Sequence, residues 1–306
     1  MEEIDPQKIR IIQRRILSWF DKHERDLPWR RTRDPYKILI AEVMLQQTQV
    51  DRVLPKYQEF LRAFPSVRAL ANAPVADVIR SWSGLGYNRR AVLLHRCSQT
   101  IVKTHGGTFS SSVSALEQLP GIGPYTARAI ATFSFGEDVA VLDTNHRRII
   151  HRLFLGLELP KALASDKKLL SLAEMLLPKG KGYSWNQALM DFGALMCTSR
   201  SPKCAICPVQ QFCRAYPEIQ AASPLKIVLL RRGKRGKEKF EDSDRFYRGR
   251  ILDILRSEEH LPRAELLRHI RHIRPLGKIR FSRILKQLKK DGLIRMNKKA
   301  DTIQLP

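Results

Sequence analysis

The amino-acid sequence predicts an all-α protein with a small winged helix-turn-helix-like module in its last sixty residues. Three observations predict it. Apolar residues recur at helical spacing through most of residues 6–196, and few alternating strand patterns occur before residue 220. Leu119-Pro120-Gly121-Ile122-Gly123-Pro124-Tyr125-Thr126 interrupts that spacing with a tight turn between two helices. From residue 245 onward three helical stretches are followed by two short strands, the order of a winged helix.

At 306 residues and 43% hydrophobic content the chain can bury a sizeable core, as one large domain or two to three smaller ones. Its formal net charge of +25 points to a polyanionic partner, nucleic acid first. The charge is uneven: residues 226–306 hold 24 Lys and Arg against 10 Asp and Glu, which is more than half of the excess. No apolar run is long enough to span a bilayer, and Met1-Glu2-Glu3-Ile4-Asp5 is not a signal peptide. An intracellular monomer, cytoplasmic or nucleoid-associated and without a membrane partner, is expected. Four of the five cysteines lie between 197 and 213, which in a reducing compartment favours metal over disulfides.

In chain order, residues 6–22 put Ile9, Ile12, Ile16, Leu17 and Phe20 on one helix face, and Leu27-Pro28-Trp29-Arg30 breaks the pattern. Asp34-Pro35 starts the next helix, read as continuing over 38–53. It is mostly apolar, with a single acid, Glu42, and a polar end at Gln46-Gln47-Thr48-Gln49. Helices follow at about 55–63, 75–83 and 89–104, the last two separated by Ser83-Gly84-Leu85-Gly86-Tyr87-Asn88. Beyond the turn at 120–123, helices are expected at about 144–155, 165–176 and 184–196. Residues 217–244 read as a basic linker. In the module at 245–306, helices are expected at about 245–256, from Pro262, and at about 279–290, with Ile279, Ile284, Leu285 and Leu288 inward on the last. Strands at 293–296 and 302–305 join through Asn297-Lys298-Lys299. The third helix carries Arg280, Arg283, Lys286, Lys289 and Lys290 and suits a DNA groove. The alternative is a basic domain for protein contacts.

The turn has its own chemistry. Pro120 presets φ, Gly121 and Gly123 permit positive φ, and Pro124 stands where a helix accepts its first proline. Bare glycine amides beside a helix N-terminus can dock a phosphate; the plainer reading is an ordinary corner between helices. About one helix later comes Val141-Leu142-Asp143-Thr144-Asn145, whose carboxylate is either functional or a helix N-cap. Glu42, set among Ile40, Ala41, Val43 and Met44, is expected to have a raised pKa; the plain alternative is a core acid paired with Arg30 or another cation.

Cys197, Cys204, Cys207 and Cys213, spaced x6, x2 and x5, offer four thiolates to Zn²⁺ or a [4Fe–4S] cluster. A zinc ribbon more usually shows two CxxC pairs on β-turns. One CxxC after a helix, in an all-α setting, favours iron–sulfur. Cys97 reads as a core thiol.

Together these features resemble the helix-hairpin-helix DNA glycosylases of the endonuclease III superfamily, and within it the MutY-type A/G-specific adenine glycosylases. The resemblance covers about residues 8–216. It rests on Leu-Pro-Trp-Arg (27–30), Glu-Val-Met-Leu-Gln-Gln-Thr-Gln-Val (42–50), Gly-Leu-Gly-Tyr (84–87), Leu-Pro-Gly-Ile-Gly-Pro-Tyr-Thr (119–126), Leu-Asp-Thr-Asn (142–145) and the four cysteines. It implies two helical lobes, one of about 27–135 and one of about 1–26 with 136–216 and the cluster, and a flipped-out nucleotide in double-stranded DNA bearing a mismatch. It implies Asp143 as the carboxylate facing the sugar, Asn145 as its orienting neighbour, Glu42 as proton donor to the leaving base, and Tyr125 as a wall of the sugar site. Relatives that also cut the strand carry a Schiff-base lysine at the place of Tyr125, so base release alone is expected. Gln47, Thr48 and Tyr87 would probe the opposite strand, and Arg30, Gly121 and Gly123 would contact DNA.

The chain departs from that pattern after residue 225, where the usual α/β module that grips 8-oxoguanine is not recognisable, and at Asn88, where an aromatic is common. The leading expectation is removal of adenine opposite 8-oxoguanine or G. The runner-up is a thymine or uracil glycosylase for T·G or U·G. A non-catalytic iron–sulfur regulator is the third reading, disfavoured by intact Asp143 and Glu42.

Overall fold

The computed structural model describes residues 5–158, 164–221, 239–297 and 299–306. They are almost entirely helical, and they divide into two compact units.

The first unit comprises residues 1–35, 111–113 and 124–235. Its helices are α1 (Pro6–His23), α8 (Pro124–Phe135), α9 (Thr144–Phe154), α10 (Asp166–Met175), α11 (Gly182–Leu195) and α12 (Tyr216–Ala221). Asp5 caps α1 by accepting from the Gln7 amide. The expected apolar stripe then buries Ile9, Ile12, Ile16 and Phe20 against Ile149, Leu153, Trp185 and Phe192. Asn186 ties α11 to the strand-like run before α9: its Oδ1 accepts from the Val141 amide at 2.9 Å and its Nδ2 donates to the Val139 carbonyl. That fixes the approach to Asp143.

The second unit comprises residues 36–110, 114–123 and 236–306. Helices α2 (Pro35–Leu45), α3 (Val50–Ala63), α4 (Val67–Asn72), α5 (Val75–Ser81), α6 (Arg89–His105) and α7 (Val113–Glu117) form its larger part. Residues 38–44 are apolar on every face but one, so α2 is buried all round and takes Glu42 in with it. The single helix expected over 38–53 is two. Gln47 adopts φ +55°, a left-handed conformation that ends α2, and α3 restarts from Gln49.

The three helices and the terminal strand pair expected after residue 245 are present. Helices α13 (Asp244–Ser257), α14 (Arg263–Ile273) and α15 (Lys278–Lys290) are joined by a three-stranded antiparallel sheet in the spatial order β1 (Leu261–Pro262), β3 (Thr302–Gln304), β2 (Arg295–Asn297); β1 lies between α13 and α14 and is a strand beyond the two expected. Two details differ. Ile279 is 90% exposed and Phe281 takes the inward place on α15, because the buried face runs through Phe281, Ile284, Leu285 and Leu288. Arg280 and Arg283, expected on a groove-facing surface, bind the Asp244 carboxylate at 2.7 and 3.0 Å.

The expected boundaries move as well. Helix α8 belongs with the cluster-bearing unit, where Arg128 donates to the Ala140 carbonyl and Phe133 packs edge-on to Tyr183. The C-terminal module is not a separate body. Its core residues Ile251, Leu252, Leu255 and Leu293 pack in one cluster with Ile79 of α5 and Val92 of α6. It also begins before 245, since Phe240 packs on Phe246 and Asp242 receives Arg274. The most basic part of the expected linker, 231–237, and Lys298 of the expected strand turn lie outside the described residues.

Candidate active site and cluster loop

Asp143 is the N-cap of α9, so the plain reading of this residue is correct and does not compete with a chemical role. Its Oδ1 accepts three hydrogen bonds: from the Asn145 amide at 2.8 Å, from the His146 amide at 2.7 Å and from His146 Nδ1 at 2.6 Å. Its Oδ2 accepts from Asn145 Nδ2 at 3.1 Å. Burial opposes the charge, but the His146 ring and the hydrogen bonds from His146 and Asn145 outweigh it, and the carboxyl pKa lies below its ordinary value. The group is therefore a half-buried, ionised carboxylate at neutral pH, suited to stabilising positive charge on a sugar.

Asn145 is itself fixed. Its Oδ1 accepts from Arg148 Nη2 at 2.7 Å, and the same nitrogen donates to the Gly193 carbonyl. A Cβ on Gly193 would come within 2.5 Å of Asn145 Cβ, so only glycine permits this approach of α11. Arg148 Nε also donates to the Cys197 carbonyl, at 2.7 Å. One guanidinium thus links the residue that orients Asp143 to the start of the cysteine loop. Tyr125 lies in the first turn of α8, half-buried.

In the second unit Glu42 is 5% exposed. The partner suggested for it, Arg30, belongs to the other unit and is committed elsewhere. Arg30 binds Asp191 with both terminal nitrogens, at 2.7 and 2.8 Å, and its side chain is only 4% exposed. The Arg30 guanidinium, expected on DNA, is instead held in a buried ion pair; Arg25 shares the same carboxylate, its Nε donating to Asp191 Oδ1 at 2.6 Å.

Gln47, Thr48 and Tyr87 do converge. The organiser is Arg90, which nothing in the local sequence singles out. It is buried in the first turn of α6. Its Nη1 donates to the carbonyls of Val43, Met44 and Gln46, and its Nη2 to Thr48 Oγ1 and to the carbonyls of Leu85 and Gly86. One side chain therefore fastens the frayed end of α2 to the Gly-Leu-Gly loop. Burial pulls its pKa down to about 10, which still leaves it charged at neutral pH. Tyr87 is held at φ +45° and is 40% exposed, an expensive conformation and exposure for an aromatic. Its ring lies under Arg245, whose guanidinium also donates to the Tyr87 hydroxyl. Arg256 donates to Asn88 Oδ1 at 2.8 Å. Beside Tyr87 a cavity of about 650 Å³ is lined by Gln46, Gln47, Arg52, Phe240, Arg245 and Arg250, among others.

At the turn, Gly121 has φ +80° and a Cβ there would meet Leu93 Cβ at 2.8 Å, so glycine is required. Gly123 has no positive φ and open space at its Cβ position, contrary to expectation; its backbone does not demand glycine.

Cys197, Cys204, Cys207 and Cys213 line one small apolar cavity, unbridged by any disulfide. Among the described residues no three such side chains close on a single-ion site. A tetrahedral zinc would draw its thiolates in to about 2.3 Å from the metal, whereas an iron–sulfur cube carries them on separate irons. Four thiolates around one cavity suit either group, and the spacing x6, x2, x5 favours the cube. Arg152, buried, pins the loop by donating to the Thr198 carbonyl at 2.8 Å and to Cys197 Sγ at 3.5 Å, with Glu158 balancing its charge. Arg200, Lys203 and Arg214 are exposed around it.

Comparison with known proteins places this geometry. Residues 40–175 match the HhH-GPD superfamily of base excision DNA repair proteins, and residues 197–213 match the iron–sulfur binding domain of endonuclease III. The fold is shared with a non-covalent endonuclease III–DNA complex (TM-score 0.63, 20% identity, 72% of this chain and all of that one). It is also shared with a thermostable thymine-DNA glycosylase (TM-score 0.65, 33% identity, 69% of this chain and 98% of that one). The chain is thus a helix-hairpin-helix glycosylase by class. It is 41% identical over 253 residues to the adenine DNA glycosylase of Mycolicibacterium smegmatis, covering 82% of this chain and 83% of the relative. It is 39% identical over 215 residues to that of Mus musculus, covering 67% of this chain and 42% of the relative. The chain belongs to the adenine DNA glycosylase family, and its cofactor is a [4Fe–4S] cluster.

Purified protein is expected to be brown, with absorption near ~400 nm and about four irons per chain. One tightly bound zinc without iron would contradict the cluster.

Proposed function

We propose that this chain excises adenine mispaired with 8-oxoguanine or G from double-stranded DNA, by hydrolysis and without cutting the strand. The observation that carries this reading is the ionised Asp143 carboxylate at the start of α9, in a chain of this family. The adenine is turned out of the duplex. Glu42 gives its proton to N7, so the bond from N9 to C1′ breaks with the electron pair leaving on a neutral base. Asp143, through its less encumbered Oδ2, stabilises the cationic sugar or forms an ester with it. A water then supplies oxygen to C1′ and returns its proton to Glu42. Asn145 holds Asp143, and Tyr125 encloses the sugar. Cys197, Cys204, Cys207 and Cys213 would hold the cluster, which in turn anchors the loop that Arg148 grips. No helix among the described residues is long and apolar enough to cross a membrane.

The cavity beside Tyr87 is the proposed place of the opposite-strand nucleotide. Aromatic faces for stacking and arginines for phosphate are what such a nucleotide requires. The C-terminal module supplies Phe240, Arg245 and Arg250 to it. In this reading the module takes over part of the work of the 8-oxoguanine-gripping domain that residues 226–306 do not resemble. Thymine release from T·G is the second reading, favoured by the 33% identity to a thymine-DNA glycosylase of the same fold.

The monofunctional character has a direct test. On a duplex with a central A·8-oxoguanine pair the product strand is expected to stay intact at neutral pH and to break only after alkali. Borohydride is expected to trap no enzyme on DNA, because the phenol of Tyr125 cannot form a Schiff base. Efficient trapping would assign that role to another amine.

A further inference from the structure

His146 is more deeply buried than the carboxylate it serves. Its side chain is 1% exposed, against 20% for Asp143. An ionised carboxylate can only accept hydrogen bonds, so Nδ1 carries the proton directed at Oδ1. The other ring nitrogen, Nε2, is buried and has no hydrogen-bond partner among the described residues. A histidine kept for packing would satisfy both nitrogens or yield its place to an apolar side chain, since an orphaned buried polar atom destabilises the fold. Here the whole polar capacity of the ring is spent on one oxygen of Asp143. His146 stands three residues after the N-cap, the position from which a helix side chain reaches back to the cap.

We propose that His146 is a positioning residue for catalysis: its Nδ1–H completes a three-donor clamp on Oδ1, which fixes the carboxylate rotamer and leaves Oδ2 as the oxygen presented to the sugar. The clamp is asymmetric. Oδ1 receives two backbone amides and the imidazole; Oδ2 receives a single side-chain amide at the longer distance of 3.1 Å. The ring is too buried to touch substrate, so it acts only through Asp143. This rests on Asp143 being the sugar-facing carboxylate.

The test compares H146L, which keeps bulk without a donor, with H146N, whose amide nitrogen falls near the place of Nδ1. Single-turnover adenine release, duplex affinity and thermal melting are measured on the iron-loaded full chain. H146L is expected to slow release by about 10- to 100-fold, the size of a hydrogen bond to a charged group. Its affinity should be unchanged, and its melting temperature equal or higher, because the orphaned Nε2 is gone. H146N is expected to stay within a few-fold of wild type. If H146L fails to fold, H146Q replaces it: its amide sits toward Nε2 and should leave the clamp open and release slow. Wild-type rates in H146L, or equal slowing in H146L and H146N, would overturn the proposal. D143N is the control for the underlying reading. If D143N retains its rate, the assignment of Asp143 fails; if D143N is inactive while H146L is not, only the role of His146 fails.

Discussion

Asp143→Asn is expected to reduce single-turnover base release by at least about 100-fold, the scale of removing one electrostatic contact to a developing charge. Folding should change little. Asparagine keeps an oxygen to accept the Asn145 and His146 amides, and N-cap preference for Asn is close to that for Asp. What is lost is the negative charge, and the new amide would face the Asn145 Nδ2 donor where Oδ2 had accepted it. Mispair affinity should therefore survive while chemistry does not. A variant that binds and cleaves normally would remove Asp143 from the mechanism.

Glu42→Gln is expected to lower the rate by about 100- to 10,000-fold, the range attributed to a positioned general acid. Glutamine matches the volume of the buried side chain on α2, so packing around Ile38, Leu39 and Val43 should persist. It carries no transferable proton. Adenine leaving as an anion is the step that suffers, and substrates whose base is already activated should be affected less. Near-normal rates on A·8-oxoguanine would assign proton donation to another group.

Much of this was legible in the sequence, for definite reasons. Helix periodicity, the Pro-Gly turn and the cysteine spacing are local signals, and they give the helical body, the hairpin and the cluster loop. Asp143 was legible as an N-cap because a helix that begins at Thr144-Asn145 calls for an acid before it. The failures are long-range. Arg30 stands in a motif that suggests DNA, yet its partner Asp191 lies 161 residues away on α11. Arg90 reads as one of several cations at a helix start, and only the fold turns it inward onto six acceptors. The break after Leu45 was hidden because Val50 and Val53 resume helical spacing beyond the polar Gln46-Gln47-Thr48-Gln49, while Arg90 holds the Gln46 carbonyl beside the left-handed Gln47. The basic stretch at 245–306 suggested a free DNA-binding module, since no sequence pattern shows that Ile251 and Leu255 share a core with Ile79 and Val92. His146 did carry a signal, its three-residue spacing from an N-cap acid, but it reads as one more base in the run Asn145-His146-Arg147-Arg148.

The most direct measurement is a side-by-side single-turnover assay on A·8-oxoguanine, A·G, T·G and U·G duplexes, with the released base identified by chromatography. Free adenine is expected from both adenine pairs, with a smaller rate gap between them than in relatives that carry the usual 8-oxoguanine-gripping domain. No base is expected from T·G or U·G. Thymine or uracil release, with none from either adenine pair, would contradict this expectation.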